Sequence, residues 1–266
     1  KGRPGWHIEC SAMSTYYLGE TIDIHIGGVD LIFPHHENEI AQSEGATGKT
    51  FVRYWIHGEH LLVDRTKMSK SKGNFYTLKD LEEKGFDLKA LRFLYLKAHY
   101  RTQMNFTIKS LEQAEETLEN LFDFMVKLKS WKSNSPDNKK VITLIEDVKS
   151  KFEREMDDNL NTPGALAAIF LFVKEVNKLI DSREISTNDA KMIYDTMLQF
   201  DEVLGILKKE TEELPEEAKK LIEERERLRK EKSFDRADRI RDKLKKEYNI
   251  ALEDSPNGPR WKILKK

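Results

Sequence analysis

Apolar positions along this chain change their spacing near residue 77, and that change divides the elements the sequence predicts. Before it, apolar residues come in short runs between turns. Ile22-Asp23-Ile24-His25-Ile26 alternates as a half-buried strand does and stops at Gly27-Gly28. Pro34 suits the first turn of a helix, and His35 to Gln42 continues that helix. Arg53 to Val63 mixes aromatic and branched residues around Gly58, which predicts two short strands. Residues 1–74 therefore read as α/β. The pattern begins abruptly, because a parallel nucleotide-binding sheet normally needs an earlier strand–helix unit.

From Thr77 the spacing becomes helical. Leu111, Ala114, Leu118, Leu121, Phe122, Met125 and Leu128 form an apolar stripe at three- and four-residue intervals. Ser133 to Asn138 reads as a loop, and Val141 to about Met156 as a second helix. Thr162 offers an N-cap with Pro163 in the first turn, opening a third helix that reaches Ile180. A fourth spans Asn188 to Leu204, so a helical bundle is expected over 105–207. Lys208 to Pro215 is polar and acidic and reads as a boundary. Beyond it, Glu216 to Lys232 predicts a charged helix, and Ser233 caps another running to Tyr248. Ile250 to Leu252, the turn Pro256-Asn257-Gly258-Pro259, and Arg260 to Leu264 predict a hairpin.

Composition narrows the function classes. Hydrophobic residues make up 38% and charged ones 35%, which suits a helix-rich protein with broad solvated faces. A net charge of -1 excludes a uniformly basic nucleic-acid binder but leaves room for local basic patches. No apolar run of ~18 residues predicts a membrane span. Lys1-Gly2-Arg3-Pro4-Gly5 is followed by no apolar stretch and does not read as a signal peptide. A single cysteine makes no internal disulfide and fits a reducing, cytoplasmic setting. All seven histidines lie between His7 and His99, so metal or acid–base chemistry is expected in the first hundred residues.

His35 and Glu39 are four residues apart and share a face if helical. Imidazole and carboxylate are both zinc ligands, and a thiolate from Cys10 would favour zinc over magnesium. The competing reading makes Cys10 a small buried residue, and His36 or Glu37 can exchange into the ligand role. His36-Glu37-Asn38-Glu39-Ile40 is not a metalloprotease motif, because the second histidine is missing. Lys67-Met68-Ser69-Lys70-Ser71-Lys72-Gly73-Asn74 concentrates three lysines in a loop able to neutralise a polyphosphate as charge builds in phosphoryl or adenylyl transfer. An arbitrary lysine cluster would instead be a solvated basic turn. This string, however, reads KMSKS followed by Gly-Asn, a signature of class I aminoacyl-tRNA synthetases.

The resemblance then becomes specific. Gly2 to Met13 (GRPGWHIECSAM) and Phe33 to Gln42 (FPHHENEIAQ) are similar to two zinc-ligand segments of the cysteinyl-tRNA synthetases. Asp157 to Pro163 (DDNLNTP) resembles a bundle motif of that family, and Leu252 to Trp261 (LEDSPNGPRW) resembles its ending. The similarity covers essentially the whole chain, in order.

This resemblance implies zinc bound by Cys10, His35 and Glu39, with a fourth cysteine ligand outside the sequence, and zinc binding the thiol of substrate cysteine. It implies that Lys70 contacts ATP, that Lys67 assists, and that Mg2+ accompanies the nucleotide. Trp6, His25 and Asp30 are expected to line the amino-acid pocket, with core packing or turn capping as their alternative roles. In the tail, Arg225, Arg227, Arg229, Lys230, Lys232, Arg236, Arg239 and Arg241 concentrate positive charge. There Trp261 can stack on an unpaired base, and Asp254 and Arg260 can bond base edges. The expected division is 1–104, the second half of a Rossmann-type class I catalytic domain with the KMSKS segment; 105–207, a helical bundle; and 216–266, a small mixed α/β anticodon-side domain. Two departures from the family pattern are Ile26, where a third glycine is usual, and Lys72, where leucine is common. No HIGH-type sequence occurs, so the chain is expected to lack the N-terminal segment that carries it.

The reaction implied is attack of cysteine carboxylate on ATP, followed by transfer to cysteine tRNA. A related ligase joining cysteine to an amino sugar is the nearest rival, and the tail from Glu216 argues against it. A non-catalytic tRNA-binding fragment is a second rival. A zinc hydrolase is a third, weakened because no base pairs with the ligands in sequence.

Overall fold

The computed structural model describes residues 2–207, 215–231, 233–248, 250–255 and 258–263; the side chains of Lys230, 253–255 and 258–263 lie outside the described residues. The chain forms two compact units, one of residues 1–76, 94–113 and 148–171, the other of 77–93, 114–147 and 172–266. No helix of the described residues is long and apolar enough to cross a membrane.

The first unit opens with α1 (His7–Leu18), β1 (Ile22–Gly28), α2 (Glu37–Thr47) and β2 (Val52–Gly58). β1 and β2 pair in parallel from Ile22↔Val52 to Gly28↔Gly58, joined through α2, as parallel strands need a long connection. Ile22, Phe51 and Val52 are buried beneath them, with Ile40 and Trp55 packed alongside. α1 packs on α2, and Ser11 Oγ donates to Gln42 Oε1 at 2.8 Å. The sequence pattern did not mark α1, for a physical reason. Its apolar residues make no stripe: Met13, Tyr16, Tyr17 and Leu18 are exposed, and the buried residue is Ser11.

The helix expected from Pro34 begins later, at Glu37. Val29–Leu31 forms a single 3-10 turn, and Ile32–His36 a kinked turn in which Phe33 is extended (φ -128°, ψ 130°) and the Phe33–Pro34 peptide is cis. His35 and His36 thus leave a turn, and Glu39 the first turn of α2. Gly27 makes this possible, because a Cβ there would meet His36 Cε1 at 2.5 Å.

β3 (Leu61–Val63) pairs antiparallel with β4 (Thr66–Lys67) and parallel with β5 (Met104–Phe106). The connecting Asp64 and Arg65 are both left-handed, at φ 48° and 62°, as a two-residue type I′ hairpin requires. β5 holds that hairpin: Arg65 N–H donates to Asn105 Oδ1 at 2.6 Å and Asp64 N–H to Phe106 O at 3.1 Å. Three residues are too few to show a period, so β5 sat unmarked inside a helical reading.

α3 (Leu78–Glu83) starts with a Thr77–Asp80 capping box, and α4 covers Leu88–Leu96. Helices α5 (Ile108–Ser130), α6 (Lys139–Asp157), α7 (Thr162–Asp181) and α8 (Thr187–Leu204) follow. The α5 stripe is buried as its spacing predicts, except that Phe124 takes the buried place expected for Phe122, which is half-buried. Thr162 is not the cap of α7. Asn161 Oδ1 accepts from Gly164 N–H at 3.1 Å, while the Thr162 hydroxyl donates to Leu96 O at 2.9 Å. The loops at the far ends of α5 and α7 are tied by Trp131 Nε1 to Ile185 O at 3.2 Å and by Asn138 N–H to the buried Asp189 at 3.0 Å.

The second unit ends in α9 (Glu216–Lys230), α10 (Phe234–Tyr248) and the antiparallel hairpin β6 (Ile250–Ser255) and β7 (Gly258–Ile263). Ala218, Leu244 and Ile250 form their core, flanked by Leu221, Ile222, Ile240, Tyr248 and Leu252.

Gly27→Ala should lower the unfolding free energy by about 1–3 kcal/mol, the usual cost of overpacking a filled site. Urea denaturation should show an unchanged m-value, because the contact at fault is local.

Candidate metal centre and phosphate loop

Cys10 on α1, His35 from the kinked turn and Glu39 on α2 bring one ligand atom each to within 4.8 Å of one another. His25, on β1, and His36 make a second such group with the same Glu39. Glu39 is completely buried, at 0% exposure, and His35 and His36 nearly so. His35 Nε2 lies 2.6 Å from Glu39 Oε1, and His25 Nδ1 lies 3.5 Å from Glu39 Oε2. Neither approach has hydrogen-bond geometry, and both carboxylate oxygens lack a hydrogen-bond partner. His7 Nδ1 meets His35 Nδ1 at 2.8 Å, which engages that nitrogen and turns Nε2 toward Glu39. Trp6 stacks on the His35 ring, centroids 3.8 Å apart. His25 stacks on Trp55 at 4.5 Å, and His36 Nδ1 meets His57 Nε2 at 2.9 Å.

Burial dominates the electrostatics. It pushes the Glu39 carboxyl up, partly offset by the Cys10 thiol beside it. It pushes the Cys10 thiol up as well, with the Glu39 charge adding to the effect. Burial lowers His25, and the charges of His35 and His57 add to the effect; burial, then the charge of His7, lowers His35. His36 is pushed down to about 4 by burial and by the charges of His25, His57 and His35. The result is a set of sulfur, nitrogen and oxygen donors around a fully buried carboxylate, with no positive partner. Unpaired buried polar atoms are costly, and a divalent cation is the species that satisfies all of them at once. Thiolate, imidazole and carboxylate are the zinc donor set, so the residues fit that ion.

Of the other pocket candidates, Trp6 and His25 stand against this cluster. Asp30, in the 3-10 turn after β1, is exposed, and its carboxylate acts on the cluster through its charge, opposing the lowering of His36. His36, read as able to exchange into the ligand role, stands in the second group, whereas His7 and His57 escaped that reading, although the crowding of all histidines into the first hundred residues was their signal.

Lys67 lies on β4, and Lys70 opens a 3-10 turn, Lys70–Lys72, closed by left-handed Gly73 at φ 68°. Lys67, Lys70 and Lys72 are exposed and make no ion pair among the described residues. Lys70 Nζ stands over the Phe75 ring, 5.5 Å from its centroid.

In the tail, Arg225 is 1% exposed and pairs with Glu226 at 2.9 Å, so it does not belong to the surface patch the sequence suggested. Lys208–Leu214 and Lys232 lie outside the described residues, as do the side chains of Asp254, Arg260 and Trp261.

This geometry agrees with what the chain is similar to. The family described as tRNA synthetases class I (C) catalytic domain matches residues 1–116, and the DALR domain matches 151–208. A structure titled as the ternary complex of Agrobacterium radiobacter K84 agnB2 LeuRS-tRNA-LeuAMS shares the fold, with TM-score 0.54 and 16% identity over 70% of this chain and 26% of that one. The chain is similar to the class I tRNA synthetases and, among them, to cysteine--tRNA ligases. The cysteine--tRNA ligase of Protochlamydia amoebophila (strain UWE25) is 46% identical over 263 residues, 98% of this chain and 55% of the relative. That of Chlamydia trachomatis serovar D is 45% identical over 99% of this chain and 57% of the relative. That of Brachyspira hyodysenteriae is 44% identical over 98% and 56%. The chain therefore spans about half the length of the curated relatives it matches.

His36 yields a pH signature. Its pKa falls from 6.5 to about 4 on folding, so between those values the unfolded chain binds more protons than the folded one. Its contribution is present above 6.5 and is lost as pH drops toward 4; raised Glu39 contributes with the opposite sign. Urea titrations from pH 7 to 4 in metal-free buffer should show His36→Asn losing less stability on acidification than the unaltered chain. Parallel curves would place the His36 titration elsewhere.

Proposed function

We propose that this chain carries the amino-acid-selecting and nucleotide-activating part of a cysteine--tRNA ligase, acting on L-cysteine, ATP and cysteine tRNA. The observation that supports this reading most directly is the Glu39 carboxylate, fully buried and facing Cys10 and His35 without a hydrogen-bond partner. Cys10, His35 and Glu39 would hold zinc, with a further cysteine completing the set. Zinc would supply a soft Lewis acid that takes a thiolate and leaves serine's hydroxyl unbound, so selectivity does not rest on a small difference in volume. His7 and Trp6 fix the His35 ring, while His25 and Trp55 form an aromatic wall beside Glu39.

A carboxylate oxygen of cysteine attacks the α-phosphorus of ATP, and the bond to the pyrophosphate oxygen breaks. Charge builds on the leaving pyrophosphate, and the ammonium of Lys70, assisted by Lys67, opposes it; Mg2+ bound with the nucleotide would supply further positive charge there. A hydroxyl of the terminal tRNA ribose then attacks the adenylate carbonyl and releases AMP. The attacking carboxylate is already ionised and needs no base, so positioning and charge carry the rate. The working division remains 1–104, 105–207 and 216–266, with α9, α10 and the hairpin on the anticodon side. Reduced Cys10 and a tRNA partner favour the cytoplasm.

Two variants test this in an enzyme of the relatives' full length. Cys10→Ala should lose bound zinc, measured by elemental analysis of the dialysed protein, and cysteine activation with it. Full zinc occupancy in that variant would remove Cys10 from the ligand set. Lys70→Ala should slow cysteine-dependent pyrophosphate exchange by about two orders of magnitude, the usual effect of deleting one such charge contact. Cysteine affinity should hardly change, and unchanged exchange kinetics would take Lys70 out of the reaction.

A further inference from the structure

The amide of Asn74, the residue that ends the KMSKS string, uses both of its hydrogen-bonding functions on that string. Its Oδ1 accepts from Ser69 N–H at 2.9 Å. Its Nδ2 donates to Thr66 Oγ1 at 2.9 Å and faces Lys67 O at 3.3 Å and Val63 O at 3.4 Å. Thr66 Oγ1 in turn donates to Val63 O at 3.1 Å. One side chain therefore ties the end of β3, the whole of β4 and the first residue after Met68 to a single point. The bonds within the turn are local, Lys72 N–H to Ser69 O and Gly73 N–H to Lys70 O, each 3.2 Å. Left-handed Gly73 reverses the chain and brings Asn74 back under the string. The next residue, Phe75, then lies under the Lys70 ammonium.

We propose that Asn74 is a positioning residue for adenylate formation: it fixes the base of the KMSKS turn so that Lys70 is held where the pyrophosphate departs. This rests on the reading of Lys70 given above. The chemistry requires a carboxamide. The site offers one N–H and three oxygens, so the side chain must present an acceptor on one side and donors on the other. Aspartate turns an oxygen toward the carbonyls of Lys67 and Val63, which cannot donate, replacing attraction by repulsion there. Alanine leaves Ser69 N–H and the β4 carbonyl to water. With the clasp open, the exposed turn keeps its lysines but loses their aim, and a displacement of about 1 Å at such a group costs up to roughly a hundredfold in rate.

Two measurements test the clasp. On this chain itself, limited trypsin digestion followed by mass spectrometry should show Asn74→Asp cut after Lys67, Lys70 and Lys72 about tenfold faster, as expected when local opening becomes easier. Cleavage after Lys149, on α6, should keep its rate. In the full-length enzyme, Asn74→Asp and Asn74→Ala should lower kcat for pyrophosphate exchange at least about tenfold while KM for cysteine and zinc content stay constant. Thr66→Val, which removes one partner and adds no charge, should give a smaller loss in the same direction. In a Lys70→Ala background, Asn74→Asp should cause no further loss, because both act through the same ammonium. Losses that multiply in the double variant would overturn the proposal, as would normal exchange in Asn74→Asp beside a crippled Lys70→Ala. If Lys70→Ala were itself fully active, the reading of Lys70 would fall instead, and the trypsin pattern would still decide whether Asn74 holds the turn.

Discussion

A carboxylate that water cannot reach governs the candidate metal site of this structure. Glu39 is fully buried, and the groups turned toward its oxygens are a thiol and two imidazoles held neutral by the same burial. In a low-dielectric setting such an arrangement is unfavourable unless a cation completes it, since a buried charge without a partner costs several kcal/mol. The surrounding packing prevents the usual escape, rotation of the side chain into solvent. Trp6 covers His35, Trp55 covers His25, and His57 holds His36, so the donors are fixed before any ion arrives. Preorganised donors lose little freedom on binding, which favours affinity and excludes ions that prefer another donor set.

The backbone explains why these residues meet. β1 and β2 run parallel, and the link between them turns sharply after Gly28 before α2 begins. A straight helix from Pro34 would have placed His35 and Glu39 four apart on one face. The kinked turn achieves the same meeting differently: His35 leaves the turn, Glu39 the helix, and His36 is free to pack on Gly27. The KMSKS loop stands on its own small sheet in the same compact unit, where β5 returns from much later in sequence to brace the β3–β4 hairpin.

Much of this was legible in the sequence, and the failures share a cause. Strand β1, the four long helices and the final hairpin announce themselves by period and by turn residues. Cys10, His35, Glu39 and the KMSKS string were readable because residue type and order carry their chemistry. What escaped depends on contacts between distant segments. α1 has no apolar stripe, because its buried side is small and polar around Ser11. β5 is a strand only because β3 lies beside it. The Thr162 hydroxyl was read as a cap, but Leu96 O, far off in sequence, takes it, and Asn161 does the capping. Arg225 looked like one more surface cation and is buried.

That last burial changes how the tail can meet a polyanion. On α9 and α10 much of the positive charge is already answered within the helices: Lys219 by Glu216, Arg227 by Glu231, Arg241 by Asp238 and Lys243 by Glu247. Such pairs are individually weak, but they cancel the far field, because opposite charges a few ångströms apart look neutral beyond a Debye length of ~8 Å. Arg236 and Arg239, near the start of α10, are exposed and make no ion pair among the described residues. Under the proposed tRNA reading, a surface built this way would attract RNA weakly from a distance and discriminate at contact through a few unpaired cations. The near-zero net charge is then compatible with a tRNA partner: recognition by shape and base edges needs cations at the right places, not an excess of them over the whole chain.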